Sequence, residues 1–227
     1  LWITLGIILG GRFGYALFYK PALYAQLFTG DGWGERLELF QLWTGGMSFH
    51  GGFLGVAVAI IWFAWKQKSR LLSLGDLIAP VVPLGLGFGR LANFINGELW
   101  GRPTDVPWAI RFCNAQIERL YGFCPAGDVP RHPSQLYEAG LEGIVLFGVL
   151  WLAVWKGRLL AKPGYVTGLF LFGYGVIRAS LENVRQPDVG LENLPLGLTM
   201  GMILSIPMIV IGAWLIWRAW SRPPVAA

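Results

Sequence analysis

Charge is what this sequence has least of. Asp, Glu, Lys and Arg together make up 14% of its 227 residues, where a soluble domain carries about 25%. That shortage argues against a water-exposed globular enzyme. Histidine is nearly absent too: the only two are His50 and His132. With acids scattered along the chain, they form no ligand set, so no metal and no cofactor is implied. The only cysteines, Cys113 and Cys124, lack the second pair of a zinc site. They lie in one polar segment, where a local disulfide and two separate thiols both remain open. The chain begins at Leu1 inside an apolar run, without Met or a charged n-region. It therefore reads as lacking its natural N-terminus and not as starting with a signal peptide. There is no internal repeat, and the run GLGFG at Gly85–Gly89 has no strand–turn–helix context for a dinucleotide.

What the chain does have is apolar length, with 12 Trp and 32 Gly, as expected of interfacial aromatics and closely packed membrane helices. Six apolar segments can be marked, approximately Leu1–Tyr19, Phe49–Trp65, Leu77–Ile95, Leu141–Trp155, Tyr165–Leu181 and Leu196–Trp217. Most approach the ~20 residues that cross a bilayer, and the fourth recruits residues from Tyr137 onward. Pro80, Pro83 and Pro207 mark expected kinks. The expected fold is an all-α polytopic membrane protein forming one integral membrane domain over residues 1–227, with a small extracytoplasmic head loop at 97–138.

The net charge of +5 could suggest nucleic acid, but the positions of the charges do not. Lys66, Lys68 and Arg70 follow the second segment, Lys156, Arg158 and Lys162 the fourth, and Arg218 and Arg222 the sixth, with no acid among them. The thirteen acids lie in the alternate loops or near segment ends, and only Asp76 lies toward the basic side. Short basic loops on one face indicate the cytoplasm. The C-terminus is then inside, and loops 20–48, 96–138 and 182–195 are outside.

Four polar groups map to the outer segment ends. The central one is GLGFGRLANFINGELWGR, Gly85–Arg102, in which Arg90, Asn93, Asn96 and Glu98 follow one another at the edge of an apolar run. Such a cluster near a bilayer is costly and points to function. If the helix continues that far, Arg90, Asn93, Gly97 and Gly101 share one side. His50, in GGMSFHGGFLG, is either a structural hydrogen-bonding residue or a general base, and Gly51 and Gly55 beside it form a helix-packing GxxxG. In RHPSQLYE, Arg131–Glu138, Ser134 and His132 lack the pattern of a serine hydrolase, and HPSQ reads as a cap or turn before a helix. Tyr174, Arg178 and Glu182 recur at i, i+4 and i+8 on one helix face. Arg178 and Glu182 form at least an intrahelical pair. Two guanidiniums on separate helices suit a phosphate. Residue chemistry thus reaches a site for an anionic lipid headgroup with a base nearby. A lipid transporter is disfavoured because the polar residues cluster at the outer ends. An acyltransferase using soluble glycerol phosphate is disfavoured because the site faces outward.

The blocks GGMSFHGG, GRLANFINGELWGR, RHPSQLYE and YGVIRASLENVRQPD, with GGRFGYALFY near the start, resemble the prolipoprotein diacylglyceryl transferases of bacterial inner membranes, in order and over essentially the whole chain. The resemblance implies transfer of an sn-1,2-diacylglyceryl group from phosphatidylglycerol to the lipobox cysteine of a preprolipoprotein, forming a thioether and releasing glycerol phosphate. It implies phosphatidylglycerol binding by Arg90, Asn93 and Gly101. It implies catalytic roles for His50, Glu98, Tyr174, Arg178 and Glu182, with Glu98 and Glu182 orienting the arginines. It also implies seven spans, of which six are visible here, the missing one preceding Leu1.

Overall fold

A computed structural model describes residues 1–30, 32–113, 117–119, 122–186 and 198–223. Among these residues the chain is helical, with isolated β-bridges and no strand. It divides into two compact units, Leu1–Leu74 and Gly75–Ala227.

In the first unit, α1 (Trp2–Phe18), α2 (Ala22–Thr29) and a single turn α3 (Trp33–Arg36) lead through two 3₁₀ turns to α4 (Phe49–Lys66). α1 and α4 meet backbone to backbone. A Cβ on Gly6 would lie 2.6 Å from the Gly55 carbonyl oxygen, and one on Gly14 would lie 2.5 Å from the Gly51 Cα. Small residues at this spacing are what let membrane helices touch along their length. Ser48 caps α4, its side chain accepting from Gly51 N at 3.2 Å, and its own N–H donates to Gly11 O at 2.9 Å. Arg12, 4% exposed, gathers the connecting loop: it donates to Leu39 O at 2.8 Å, Glu38 O at 2.5 Å, Gly46 O at 3.3 Å and also to Gly45 O. Loop carbonyls buried away from water need such donors.

α5 (Leu71–Ile78) ends within the second unit, followed by α6 (Val82–Asn96), α7 (Ser134–Trp155), α8 (Tyr165–Leu181) and α9 (Met200–Trp220). The third apolar segment is therefore two helices, separated around Pro80, with Pro83 in the first turn of α6 where a missing N–H costs nothing. α9 continues through Pro207. α7 starts at Ser134, seven residues before the marked apolar run, and its Ala139–Val145 part is π-helical. Ala79, Leu146, Leu150 and Val166 form the core of this unit. α8 and α9 touch at glycines: a Cβ on Gly168 would lie 2.9 Å from Gly212 O. Buried Asp76 caps α8, accepting from Gly164 N at 2.6 Å, Thr167 N at 2.7 Å and Thr167 Oγ1 at 2.8 Å. A carboxylate there answers orphan N–H groups and the helix dipole together.

By length and composition α7 and α9 can each cross a membrane, and the count reaches four if the bent pairs α1–α2 and α5–α6 are one span each. α8 and the Gly51–Lys66 part of α4 are further apolar helical stretches among the described residues. Outward side chains such as Phe88, Ile144, Val210 and Trp214 are exposed, which suits a lipid solvent and not water.

Candidate functional site

α6 ends where its sequence stops it. Gly97 takes the left-handed conformation, φ 66°, and its N–H returns to Asn93 O and Phe94 O. This is the usual glycine C-cap. The helix therefore does not carry Gly97 and Gly101 onto the face of Arg90. Glu98, just beyond, accepts from Asn93 Nδ2 at 2.8 Å and Asn96 Nδ2 at 3.2 Å, bracing the turn and not an arginine.

α7 supplies the partners of both arginines. Glu138 Oε2 lies 2.6 Å from Arg90 Nε, and Glu138 Oε1 lies 3.9 Å from Arg178 Nη1. Glu142 Oε2 approaches Arg90 Nε at 3.4 Å, and Glu182 Oε2 lies 3.0 Å from Arg178 Nη2, one turn along α8. Glu138 therefore sits between guanidiniums from two helices. Its side chain is 1% exposed and that of Glu142 0%, while those of Arg90 and Arg178 are 17% and 14%. Such buried charges persist only when paired. Tyr174 lies within electrostatic reach of Arg90, Arg178, Glu138 and Glu142, and its ring stacks on Phe170. The approach of α7 to α6 depends on two glycines: a Cβ on Gly87 would meet the Gly143 Cα at 3.2 Å.

The start of α7 is a latch as well as a turn. The N-cap position falls on Pro133 and not on Ser134. The Ser134 hydroxyl donates to Leu99 O at 3.1 Å, and Gln135 Nε2 donates to Glu98 O at 2.6 Å. Gly101 is buried against the head: its N–H donates to His132 O at 2.9 Å, and a Cβ would lie 2.6 Å from that oxygen. Arg131 donates to Ala126 O at 2.7 Å, Gly101 O at 3.2 Å and Gln186 Oε1 at 3.4 Å, and burial pulls its pKa below the ordinary value. Tyr137 OH accepts from Trp108 Nε1 at 2.6 Å and lies 3.2 Å from His132 Nδ1. Cys113 and Cys124 are joined as a disulfide. Glu118 lies beside them, but a disulfide offers no thiolate to a metal.

The arrangement is a partly buried pair of phosphate-complementary cations held by buried carboxylates on apolar helices. Comparison with known proteins shows the family of the chain. Residues 1–218 match the family described as Prolipoprotein diacylglyceryl transferase. A protein of Phenylobacterium zucineum named phosphatidylglycerol–prolipoprotein diacylglyceryl transferase is 60% identical, the match covering 100% of this chain and 76% of that one. Proteins of the same name from Caulobacter sp. strain K31 and Gluconacetobacter diazotrophicus are 59% and 49% identical, each over 98% of this chain and over 74% and 73% of their own length.

This chain is a member of the prolipoprotein diacylglyceryl transferase family.

It is a bacterial membrane protein of a transferase family, as its apolar helices and its relatives agree. Of the residues singled out in sequence, Arg90, Tyr174, Arg178 and Glu182 come together in this diacylglyceryl-transferase fold. Asn93 and Glu98 pair with each other beside them, and Gly101 belongs to the backbone pairing of the head. His50 stands in the first turn of α4, and its side chain is outside the described residues. Sequence reading passed over Glu138 as the end of a capping motif and Glu142 as a segment end. The signal for both was available: two acids at i and i+4 running into an apolar helix.

Proposed function

We propose that this protein transfers the sn-1,2-diacylglyceryl group of phosphatidylglycerol to the lipobox cysteine of preprolipoproteins, at the outer face of the bacterial inner membrane, with its C-terminus in the cytoplasm. The observation that carries the reading is the convergence of Arg90 and Arg178 from α6 and α8 on the one buried carboxylate of Glu138. Two guanidiniums bridged by an anion are a seat that a phosphodiester can take.

The substrate thiol has a free pKa near 8.5 and attacks as thiolate. Its proton passes to a base, and His50 is the residue the family resemblance offers. Sulfur then bonds to the glycerol carbon that carries the phosphate ester. The carbon–oxygen bond breaks with its electron pair on the oxygen, and glycerol phosphate departs. Arg90 and Arg178 neutralise the charge that grows on that phosphate, which lowers the barrier because the donors are already in place. Tyr174 adds a hydroxyl within reach of the same charge. Glu138, Glu142 and Glu182 hold the guanidiniums in position, while Asn93 and Glu98 fix the turn that follows Arg90.

The test is incubation of the full-length protein with phosphatidylglycerol and a lipobox peptide, read by peptide mass, with a Cys→Ser peptide as control. A hydroxylamine-resistant adduct of diacylglyceryl mass on cysteine is expected. Lipid binding that depends on Arg90 without any adduct would remove the transferase reading in favour of a lipid-binding protein.

A further inference from the structure

At the end of α4 remote from His50, three cations stand without an acid. Lys66, Lys68 and Arg70 lie in a stretch, 39–75, that holds no Asp or Glu. Among the described residues none of them makes an ion pair. Lys66 is held over two rings, its Nζ 5.7 Å from the Trp2 centroid and 5.1 Å from that of Trp62. The chain then turns by a Schellman motif, in which Ser69 N donates to Ala64 O at 2.9 Å and Lys68 N to Trp65 O at 3.2 Å. The left-handed position of that motif is taken by Lys68, φ 50°, where glycine would cost less. A lysine kept there puts a charge where the turn alone asks for none.

These residues border a groove of about 740 Å³. Its lining is of two kinds. Ile61, Trp65 and Leu71 are apolar and exposed, Trp65 to 77%, while Lys66, Lys68 and Ser69 are polar. α5 begins at Leu71, and a helix start adds partial positive charge. The ligand that matches both kinds is an anion joined to a long apolar tail. Free phosphate would use only the cations, and an apolar partner helix would leave them without a counter-ion.

We infer that this groove binds an anionic phospholipid of the surrounding bilayer, with its phosphate among Lys66, Lys68 and Arg70 and an acyl chain along Ile61, Trp65 and Leu71. α4 is 18 residues long, so about 25 Å of helix separates this lipid from His50. On the orientation proposed above it belongs to the cytoplasmic leaflet. Lys66 rests on Trp2 of α1 and Trp62 of α4, so the lipid also secures the ends of that helix pair.

The test titrates the full-length protein in detergent with phosphatidylserine and with zwitterionic phosphatidylcholine of the same acyl chains, bound lipid being counted by native mass spectrometry. The wild type is expected to hold one phosphatidylserine about a hundredfold more tightly than phosphatidylcholine, each basic residue contributing about fivefold. Lys66→Gln/Lys68→Gln/Arg70→Gln should lose that lipid. Phosphatidylserine held at other sites stays in the variant and cancels in the comparison. Lys68→Gly, which also relieves the turn, should fold at least as well as the wild type and bind phosphatidylserine about fivefold less. Lys156→Gln/Arg158→Gln/Lys162→Gln removes as many charges from another loop and should keep the lipid. Equal affinity of the wild type for the two lipids would overturn the inference, as would retention of the lipid by the first triple variant. So would an equal loss in the second, since that is what general attraction between basic loops and anionic lipid predicts. Glycerophosphoserine, the same headgroup without acyl chains, should displace the lipid poorly. Displacement at equal concentration would reduce the groove to an anion site and overturn the lipid assignment.

Discussion

Both units pack helices through glycines, and they differ in the charges that the second adds beside those crossings. Among the described residues no ion pair joins α1 to α4; their backbones touch through Gly6, Gly10 and Gly14 against Gly51 and Gly55. α6, α7 and α8 are joined by charges, with Arg90 and Arg178 on Glu138, Glu142 and Glu182. In lipid, close packing alone is enough to associate helices, so the first unit shows that the charges of the second are not required as glue. Charges kept at such cost mark chemistry. The glycine pair Gly87 and Gly143 sharpens the contrast: even there the packing is done by small residues, and the charges sit beside the crossing.

This contrast can be broken first at the glycines. Gly55→Leu would drive a side chain into the Gly6 carbonyl, and with backbone on both sides it should cost ~3 kcal/mol or more. The expected outcome is loss of folded protein by size-exclusion in detergent; a normal elution profile would refute the packing argument. At the charged site the effect should fall on turnover. Arg90→Lys keeps the charge and loses the planar fork, and we expect diacylglyceryl transfer to fall about 100-fold, the scale of one transition-state donor, with folded yield unchanged. Near-normal transfer would remove the guanidinium from the reaction. Asp76→Asn weakens the cap of α8 by about 1–2 kcal/mol, which amide exchange at Gly164 and Thr167 would register; unchanged protection would mean that the cap contributes little. The smallest effect belongs to Ser134→Ala, about 1 kcal/mol for its bond to Leu99 O. It should appear as a small fall in melting temperature, and no shift at all would make the latch incidental.

Much of this was legible in sequence, and the failures have physical causes. An arginine in an apolar run announces itself, so Arg90 and Arg178 were readable, and α8 matches its marked segment end to end. Glu142 was not read because hydropathy places it where a segment begins; only its helical spacing from Glu138 and the guanidinium of Arg90 that it meets give it meaning. The stop at Gly97 follows from the Asn96–Gly97 pair, a C-cap signal outweighed by the regular spacing of Arg90, Asn93, Gly97 and Gly101. Glu98 was expected to orient an arginine, but the turn brings it to Asn93 and Asn96 instead. Arg12 binds four backbone carbonyls, and backbone acceptors leave no trace in a sequence pattern.

The latch at the start of α7 has a mechanical consequence. Ser134 and Gln135 grip the backbone at Leu99 and Glu98, and Glu138 stands about one turn further along the same rigid rod. A displacement of the segment after α6 would therefore strain the two bonds that anchor the start of the helix carrying that carboxylate. The segment after α6 and the carboxylate between the two arginines are thus parts of one hydrogen-bonded and ion-paired assembly.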